Sequence, residues 1–298
     1  MLAHYKRTPT QKVTRGFSYL FMALCVCVAL LPIIWVILSS FKTNSEIFSN
    51  GLSLPSHFGF DGYVQALEIA PILKFFANSL IVATITTILN VFCLAMAGYV
   101  FAKKRFRFKN TIFAILSLSM VIPTTALMSP VYNIITKLGL YDTKIALILV
   151  YTALNMPISL MVLRSAFASI PTELEEAARM DGCNDLQIFC RIILPLSKPV
   201  LASVTLFYAV THWNSYFNAM MYISDSNKEV IQIVLRRIIF LTSAVANDSG
   251  FDWGAMGIPP QKAVKMATTV VATVPILLIY PFVQKYFTQG VMVGSVKG

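Results

Sequence analysis

The stretch FSYLFMALCVCVALLPIIWVILSSF, residues 17–41, contains 25 residues without a charged side chain. A helix needs about 20 apolar residues to cross the hydrocarbon core of a bilayer. This stretch therefore predicts a membrane-spanning helix. Since no small-residue cleavage site follows it, we interpret it as a retained helix rather than a signal peptide.

Five further uncharged stretches are long enough to span a membrane: 75–102, 110–136, 145–163, 199–224 and 266–284. Of all residues, 57% are hydrophobic and 12% are charged, whereas soluble domains contain roughly 25% charged residues. The alternating polarity of membrane barrel strands is absent. We therefore predict an all-α integral membrane protein, with a six-helix domain at 17–287 between an N-terminal tail (1–16) and a C-terminal tail (288–298). We predict that the C-terminal tail, TQGVMVGSVKG, forms no stable helix because it is rich in glycine.

The charge is distributed unevenly between the two sides that alternating spans would define. One side carries both tails and the 103–109 and 164–198 loops, with 15 Lys and Arg and a net charge of +10. The other side carries 9 Lys and Arg and a net charge of +1. Because positive residues are retained in the cytoplasm, we predict that both termini are cytoplasmic. The net charge of +11 thus reflects topology and not a nucleic-acid partner.

The sequence contains no pattern for catalysis, nucleotide binding or metal binding. GxxxxGK[ST], HExxH and GxSxG are all absent, and the five cysteines match no zinc spacing. No span contains Asp, Glu, Lys or Arg, and His212 is the one ionisable group well inside a span. Carriers driven by protons or ions usually place charged groups at mid-membrane. We therefore predict no catalytic residue, metal or cofactor in this chain, and a driving force supplied by another protein.

Neutral polar side chains do occur in the spans, most densely in THWNSYFNAMMY at 211–222. Amides can bond to sugar hydroxyls and aromatic rings can stack on sugar faces, so this segment is a candidate substrate pathway. If 199–224 is one helix, Asn214 and Asn218 share a face. The alternative is hydrogen bonding between helices, which we favour for Asn90 and His212. The candidate pathway residues are Trp213, Asn214, Tyr216 and Asn218.

The 171–197 loop is polar and predicts two short amphipathic helices. Thr172 and Glu175 have capping-box spacing, which predicts a helix over 173–180 that ends at Gly182. Asn184 is expected to cap a second helix, which Pro195 is expected to stop. The apolar faces are predicted to consist of Leu174, Ala177 and Ala178 in the first helix and of Leu186, Phe189, Ile192 and Ile193 in the second. Such an element is suited to docking in a groove of another protein.

The loop resembles the EAA loop of ABC importer permeases. The matching positions are Glu176, Ala177, Ala178, Gly182, Ile192, Leu194 and Pro195. The resemblance extends over the whole chain, including the end YPFVQKYFTQGVMVGSVKG, and is to the carbohydrate-uptake group that contains the second membrane subunit of the maltose importer. The HWNSYFNAMMY segment and the GSVKG end resemble permeases for complex or plant-derived oligosaccharides of Gram-positive bacteria.

This resemblance implies a transporter subunit of the bacterial plasma membrane, not an enzyme. Its implied partners are a second, homologous permease, two ATPase subunits that bind ATP and Mg²⁺, an extracellular sugar-binding lipoprotein and an oligosaccharide, within membrane lipids. The loop would enter a cleft of an ATPase subunit, where Glu176 would contact a basic residue and Gly182 would permit the turn. The C-terminal tail would reach the ATPase dimer.

Three alternatives stay open from the sequence. The chain is a permease for another solute, such as an amino acid or phosphate; a channel or carrier that needs no nucleotide; or a membrane enzyme, for which no catalytic constellation is found. The 225–265 loop predicts a short helix at EVIQIVLRRIIF, 229–240, followed by turn residues. This helix would lie at the bilayer surface or contact a partner.

Overall fold

The computed structural model describes residues 9–49, 53–154, 156–246 and 262–295. Every regular element within these ranges is helical, which confirms the predicted all-α class. The α-helices are α1 (Pro9–Ser39), α2 (Asn44–Ser49), α3 (Asp61–Ile69), α4 (Ile72–Lys103), α5 (Lys109–Leu118), α6 (Met128–Lys137), α7 (Lys144–Leu154), α8 (Pro157–Ala168), α9 (Glu173–Met180), α10 (Asp185–Ile188), α11 (Leu194–Leu196), α12 (Lys198–Asn214), α13 (Phe217–Tyr222), α14 (Ile231–Ala246) and α15 (Lys262–Ser295). Short 3₁₀ turns cover Ser119–Val121 and Ser226–Lys228, and a π-helix covers Phe189–Ile193.

Three of the six predicted spans are single helices of sufficient length and apolarity. They are Thr14–Ser39, Ile72–Lys103 and Lys262–Pro281. The apolar window of the first is not buried against the rest of the described chain, as expected for a helix that faces lipid. Prolines inside α1 and α15 do not interrupt either helix.

The other three predicted spans are each broken in two, so a count of six continuous spans is not confirmed. Span 110–136 breaks around Pro123 between α5 and α6, and span 145–163 breaks before Pro157 between α7 and α8. Proline has no amide to donate and restricts the preceding residue, which explains both positions. Span 199–224 breaks without a proline at Ser215, whose backbone is extended.

Two compact units make up the chain, one of residues 1–70 and 238–271 and the other of residues 71–237 and 272–298. In the first unit, the Ala263 amide donates to Asn44 Oδ1 at 3.1 Å. A Cβ at Gly62 would lie 2.9 Å from the carbonyl oxygen of Ala263, a separation that a methyl group does not tolerate. Glycine therefore lets α3 approach the start of α15.

The second unit is organised around α4, which packs along α7, α8 and α12. A Cβ at Gly98 of α4 would lie 3.1 Å from Leu163 Cβ and 3.2 Å from Phe167 Cε2, both in α8. Leu163 and Phe167 are fully buried. The absent side chain thus allows close contact between α4 and α8, as small residues do at helix interfaces in membranes.

Helices α14 and α15 test the predictions for the 225–265 loop and for the C-terminal tail. Helix α14 confirms the predicted helix, with Ile231 and Val234 buried and Arg237 exposed. The predicted turn segment at 247–261 lies outside the described residues. The prediction of a non-helical tail was wrong, because α15 continues to Ser295. Extending a formed helix requires no new nucleation, and each glycine costs only about 1 kcal/mol.

Candidate functional site

The first helix of the 171–197 loop has the predicted bounds, Glu173–Met180, but the predicted capping box is absent. Thr172 has helical backbone angles (φ −70°, ψ −25°) and its side chain makes no capping bond. The Glu175 side chain instead lies 3.1 Å from the Lys103 ammonium. Glu175 thus has its charged partner in another helix, and the helical backbone at Thr172 replaces the expected cap geometry.

The turn after α9 confirms the prediction that this helix ends at Gly182. Its φ is +82°, a region that non-glycine residues rarely adopt. The Gly182 amide donates to the Arg179 carbonyl at 3.0 Å, and the Cys183 amide donates to the Ala178 carbonyl at 2.9 Å. These two bonds form a Schellman motif, which satisfies the free carbonyls at the end of α9.

The second helical segment begins at the predicted cap and ends one residue later than predicted. Asn184 Oδ1 accepts from the Gln187 amide at 2.9 Å, and Gln187 Oε1 accepts from the Asn184 amide at 2.8 Å. The helix then widens into the π-helix and ends at Leu196, not at Pro195. A π turn directly before a proline relieves the clash of its ring with the preceding turn. The axis then bends by 82° into α12.

The packing of the loop corrects the predicted apolar faces at two positions. Ala178 was predicted to share a face with Leu174 and Ala177 but is buried while they are exposed. Leu186 was predicted to share a face with Phe189 but is 64% exposed while Phe189 is buried. Ile188 is fully buried in its place and lies in one cluster with Phe189 and residues of α4 and α8.

The signature residues divide between two surfaces. Glu176, Ala177, Gly182 and Pro195 are exposed, Ile192 and Leu194 are half-buried, and Ala178 is buried. Leu174 and Met180 are also exposed, Met180 to 89%. The loop therefore presents an acidic side chain beside apolar ones on its open surface, while its other surface packs on α4 and α8.

Two ion pairs join the loop to the end of α4, and we call these four residues the charge clamp: Lys103, Lys104, Glu175 and Asp185. The Lys103–Glu175 pair is 3.1 Å long, and its side chains are only 4% and 7% exposed. Lys103 Nζ also donates to the Ile170 carbonyl at 2.5 Å. Lys104 pairs with Asp185 and, by its hydrogen bond, lowers the Asp185 pKa below its ordinary value.

The charge clamp is not predicted from the sequence. The lysines of KKRFRFK (103–109) also fit a topology signal, and Glu175 also has the spacing of a cap. An available signal was the position of Lys103 and Lys104, directly after a span and thus at the membrane surface where the acidic loop was also predicted. A buried ion pair requires both partners, because a single buried charge is strongly destabilising.

The polar segment at 211–222 differs from the predicted single helix. Helix α12 ends at Asn214 and α13 begins at Phe217, so Asn214 and Asn218 do not share one helical face. Trp213 is buried, and its indole donates to the Ala272 carbonyl at 2.8 Å. Asn214 is exposed, and Tyr216 and Asn218 are half-buried. The structure therefore gives Trp213 a packing role and leaves the other three accessible.

The predicted bridge at His212 is confirmed. Its Nε2 lies 2.9 Å from Asn90 Nδ2 of α4. The imidazole is stacked between Tyr151 of α7 and Tyr208 of α12, with ring centroids at 5.3 and 5.5 Å. His212 is buried and thus connects three helices at the centre of the unit.

A polar network joins Asp142, which precedes α7, to the segment between α13 and α14. Asp142 accepts from the amides of Ser224 and Asp225 and from Lys228 Nζ, each at 2.9 Å. The two amides and the ammonium lower the Asp142 pKa to about 2, with the Asp225 amide as the largest cause. Asp142 also has a φ of +60°, which aspartate tolerates better than most residues. This carboxylate therefore connects the start of α7 to the segment before α14.

We expect Asp142→Asn to lower the melting temperature of the purified protein at neutral pH. The carboxylate has a lowered pKa, so its contribution is present above the ordinary value of 3.8 and is lost as the pH falls towards about 2. The difference between wild type and variant should therefore shrink below about pH 4. Glu68→Gln, at an exposed position of α3, is the matched control. An equal melting temperature of wild type and Asp142→Asn at neutral pH would contradict this prediction.

Comparison with known proteins gives three findings. Residues 95–293 match the family described as binding-protein-dependent transport system inner membrane component. The polygalacturonan/rhamnogalacturonan transport system permease protein YtcP of Bacillus subtilis is 39% identical, over 95% of this chain and 96% of its own. The diacetylchitobiose uptake system permease protein NgcG of Streptomyces coelicolor is 31% identical, over 94% and 88%.

A solved structure agrees with these sequences. The crystal structure of a bacterial ABC transporter involved in the import of the acidic polysaccharide alginate contains a chain with a TM-score of 0.80 and 26% identity. The alignment covers 95% of this chain and 99% of that chain. The helical arrangement is thus the fold of an importer permease.

Proposed function

The chain belongs to the binding-protein-dependent transport system inner membrane component family, and we propose that it forms half of the pathway of an ATP-driven oligosaccharide importer. The related permeases carry names for polygalacturonan, rhamnogalacturonan and diacetylchitobiose transport. These names support a carbohydrate substrate over an amino acid or phosphate. The observation that carries the mechanism is the 171–197 loop, which is exposed on one surface and clamped to a spanning helix on the other.

The exposed surface of the loop is the proposed contact with an ATPase subunit. Glu176 supplies a carboxylate for a basic residue of the partner, and Leu174, Ala177 and Met180 supply apolar area beside it. Because apolar side chains exposed together mark interaction surfaces, this surface is suited to a groove in another protein. Two ATPase subunits that bind ATP and Mg²⁺ would supply the energy, one for each permease of the pair.

The packed surface of the loop is the proposed route by which movement reaches the membrane helices. A displaced α9 would pull on Lys103 through Glu175, and thus on the end of α4. Helix α4 carries Asn90, which is bonded to His212 near the end of α12. Helix α12 ends at Asn214, and the break at Ser215 follows directly. A displacement of the loop would therefore be transmitted to the candidate substrate residues.

The assembly we propose has four kinds of partner. They are a second, homologous permease, two ATPase subunits, an extracellular sugar-binding lipoprotein and the oligosaccharide. The family description supports dependence on a binding protein. The charge difference between the two sides supports cytoplasmic termini, and the Bacillus relative supports the plasma membrane of a Gram-positive bacterium.

Reconstitution tests this function directly. The chain would be co-expressed with its neighbouring transport subunits, purified and placed in proteoliposomes with the binding protein and labelled oligosaccharides. We expect uptake that requires both ATP and the binding protein. Uptake without nucleotide would favour a channel or carrier, and uptake of an amino acid or phosphate instead of sugar would favour another permease class.

We expect Asn214→Ala to slow sugar uptake several-fold while assembly and ATPase activity stay near wild type. A lost hydrogen bond to a bound ligand costs about 1–3 kcal/mol, and Asn214 is exposed. Trp213→Ala is the contrasting variant, because its indole is buried against α15 and its loss should lower thermal stability and assembly. Uptake and assembly are measured on the same preparations. A loss of assembly by Asn214→Ala in step with uptake would show a packing role instead.

A further inference from the structure

The loop between α4 and α5 contains cations that the charge clamp does not use. In KKRFRFK, Lys103 and Lys104 pair with Glu175 and Asp185. For Arg105, Arg107 and Lys109, no carboxylate of the described residues lies within the 4.0 Å of an ion pair. The run thus has two parts, one that holds the 171–197 loop and one that is free to attract an anion.

Arg105 and Lys109 line an open cleft of about 340 Å³ together with Phe106, Phe108, Asn110 and Thr111. Lys109 is fixed in the cleft, since its ammonium donates to the Lys104 carbonyl at 2.8 Å. Its remaining ammonium protons can bond to a ligand. The wall therefore combines two positive side chains, an amide, a hydroxyl and two aromatic rings.

A third cation belongs to the same positive region. Arg164 of α8 stacks on the Phe113 ring with its guanidinium carbon 4.0 Å from the centroid. Burial, then the charges of Arg164 and Arg105, lower the Lys109 pKa below its ordinary value. These cations repel one another, and an anion placed between them would remove that repulsion.

The position of the cleft indicates what kind of anion it meets. Helix α4 is long and apolar enough to span the membrane and ends at Lys103, so the cleft lies at the membrane surface. Phe106 and Phe108 are 38% and 62% exposed, which provides apolar surface beside the positive groups. A free phosphate ion has no apolar part to cover these rings, whereas a phospholipid has both parts.

We propose that this cleft binds an anionic phospholipid, with Arg105 and Lys109 on the headgroup phosphate and Phe106 and Phe108 against the glycerol and the start of the acyl chains. Basic pockets between spanning helices on the cytoplasmic side of membranes are known to bind such headgroups. The cleft directly follows Lys103 and Lys104 in the chain. A bound lipid would therefore hold the residues that position the 171–197 loop.

Native mass spectrometry of the full-length chain, purified with its accompanying subunits, tests the site. Delipidated protein is mixed with phosphatidylglycerol, phosphatidylcholine or inorganic phosphate, and the bound molecules are counted. We expect wild type to retain phosphatidylglycerol over phosphatidylcholine. Arg105→Gln/Lys109→Gln should lose about threefold or more of the retained phosphatidylglycerol. The matched control is Arg15→Gln/Lys198→Gln, which removes the same charge from two exposed positions outside the cleft and should retain the lipid.

The remaining outcomes overturn the proposal. Equal losses in both double variants would show general attraction by net charge and no specific site. Equal retention of phosphatidylcholine would show that the headgroup charge is irrelevant. Binding of inorganic phosphate that depends on Arg105 and Lys109, without lipid retention, would show a site for free anions. If the double variant does not assemble, Arg105→Gln and Lys198→Gln give the same comparison at single exposed positions.

Discussion

Gly182→Val is expected to reduce ATP-dependent sugar uptake about tenfold or more, because it strains the turn that shapes the proposed ATPase contact. The φ of +82° costs a side chain with a Cβ about 1–2 kcal/mol, and a β-branched residue is especially disfavoured there. Beyond the chain neighbours, no atom of the described residues lies within 4 Å of a Cβ built at this position, so the effect arises from the backbone and not from a clash. Uptake and ATPase activity are measured in the same proteoliposomes.

Two variants separate coupling from simple backbone strain. Gly139→Val places the same residue at another positive φ, +67°, in the loop before α7. There too, the described part of the chain offers no atom within 4 Å of the added Cβ apart from the chain neighbours. This variant should have a similar effect on stability and little effect on coupling. Glu176→Lys reverses the exposed charge without straining the turn and should also uncouple ATP hydrolysis from uptake. Normal uptake by both Gly182→Val and Glu176→Lys would contradict the proposal that the 171–197 loop couples ATP hydrolysis to uptake.

Breaking the buried half of the charge clamp is expected to have the second large effect. Glu175→Gln leaves the Lys103 ammonium buried without its carboxylate, and Lys103→Met leaves the carboxylate without its ammonium. Loss of one partner of a buried ion pair costs about 3–5 kcal/mol, which is enough to detach α9 from the end of α4. We expect a lower melting temperature and a lower ratio of sugar transported to ATP hydrolysed.

A double variant that should restore stability and a control variant at the surface complete this experiment. Lys103→Met/Glu175→Leu replaces both charges by apolar groups and should recover most of the stability, since such pairs are often replaceable. Arg179→Gln removes a 3.0 Å ion pair whose side chains are more than half exposed, and such pairs contribute only about 0–1 kcal/mol. If Glu175→Gln behaved like Arg179→Gln, the buried pair would not be the connection between loop and helix.

The sequence by itself determined the helical class, the family signature and the local chemistry of the loop. Apolar stretches without charges leave a helix as the structure that satisfies its own backbone in a membrane. The cap at Asn184 and the turn at Gly182 depend only on residues within a few positions of each other. For that reason both were predictable, and both are confirmed.

Tertiary structure decided the features that depend on residues distant in the chain. Glu175 has the spacing of a cap, but the buried Lys103 at the end of α4 takes its carboxylate. Trp213 has the chemistry of a sugar platform, but the Ala272 carbonyl of α15 takes its indole proton. The helix breaks at Ser215 although the sequence has no proline there that would predict a break. Glu175 and Trp213 each have several possible partners and took one from another helix, which only packing brings within reach.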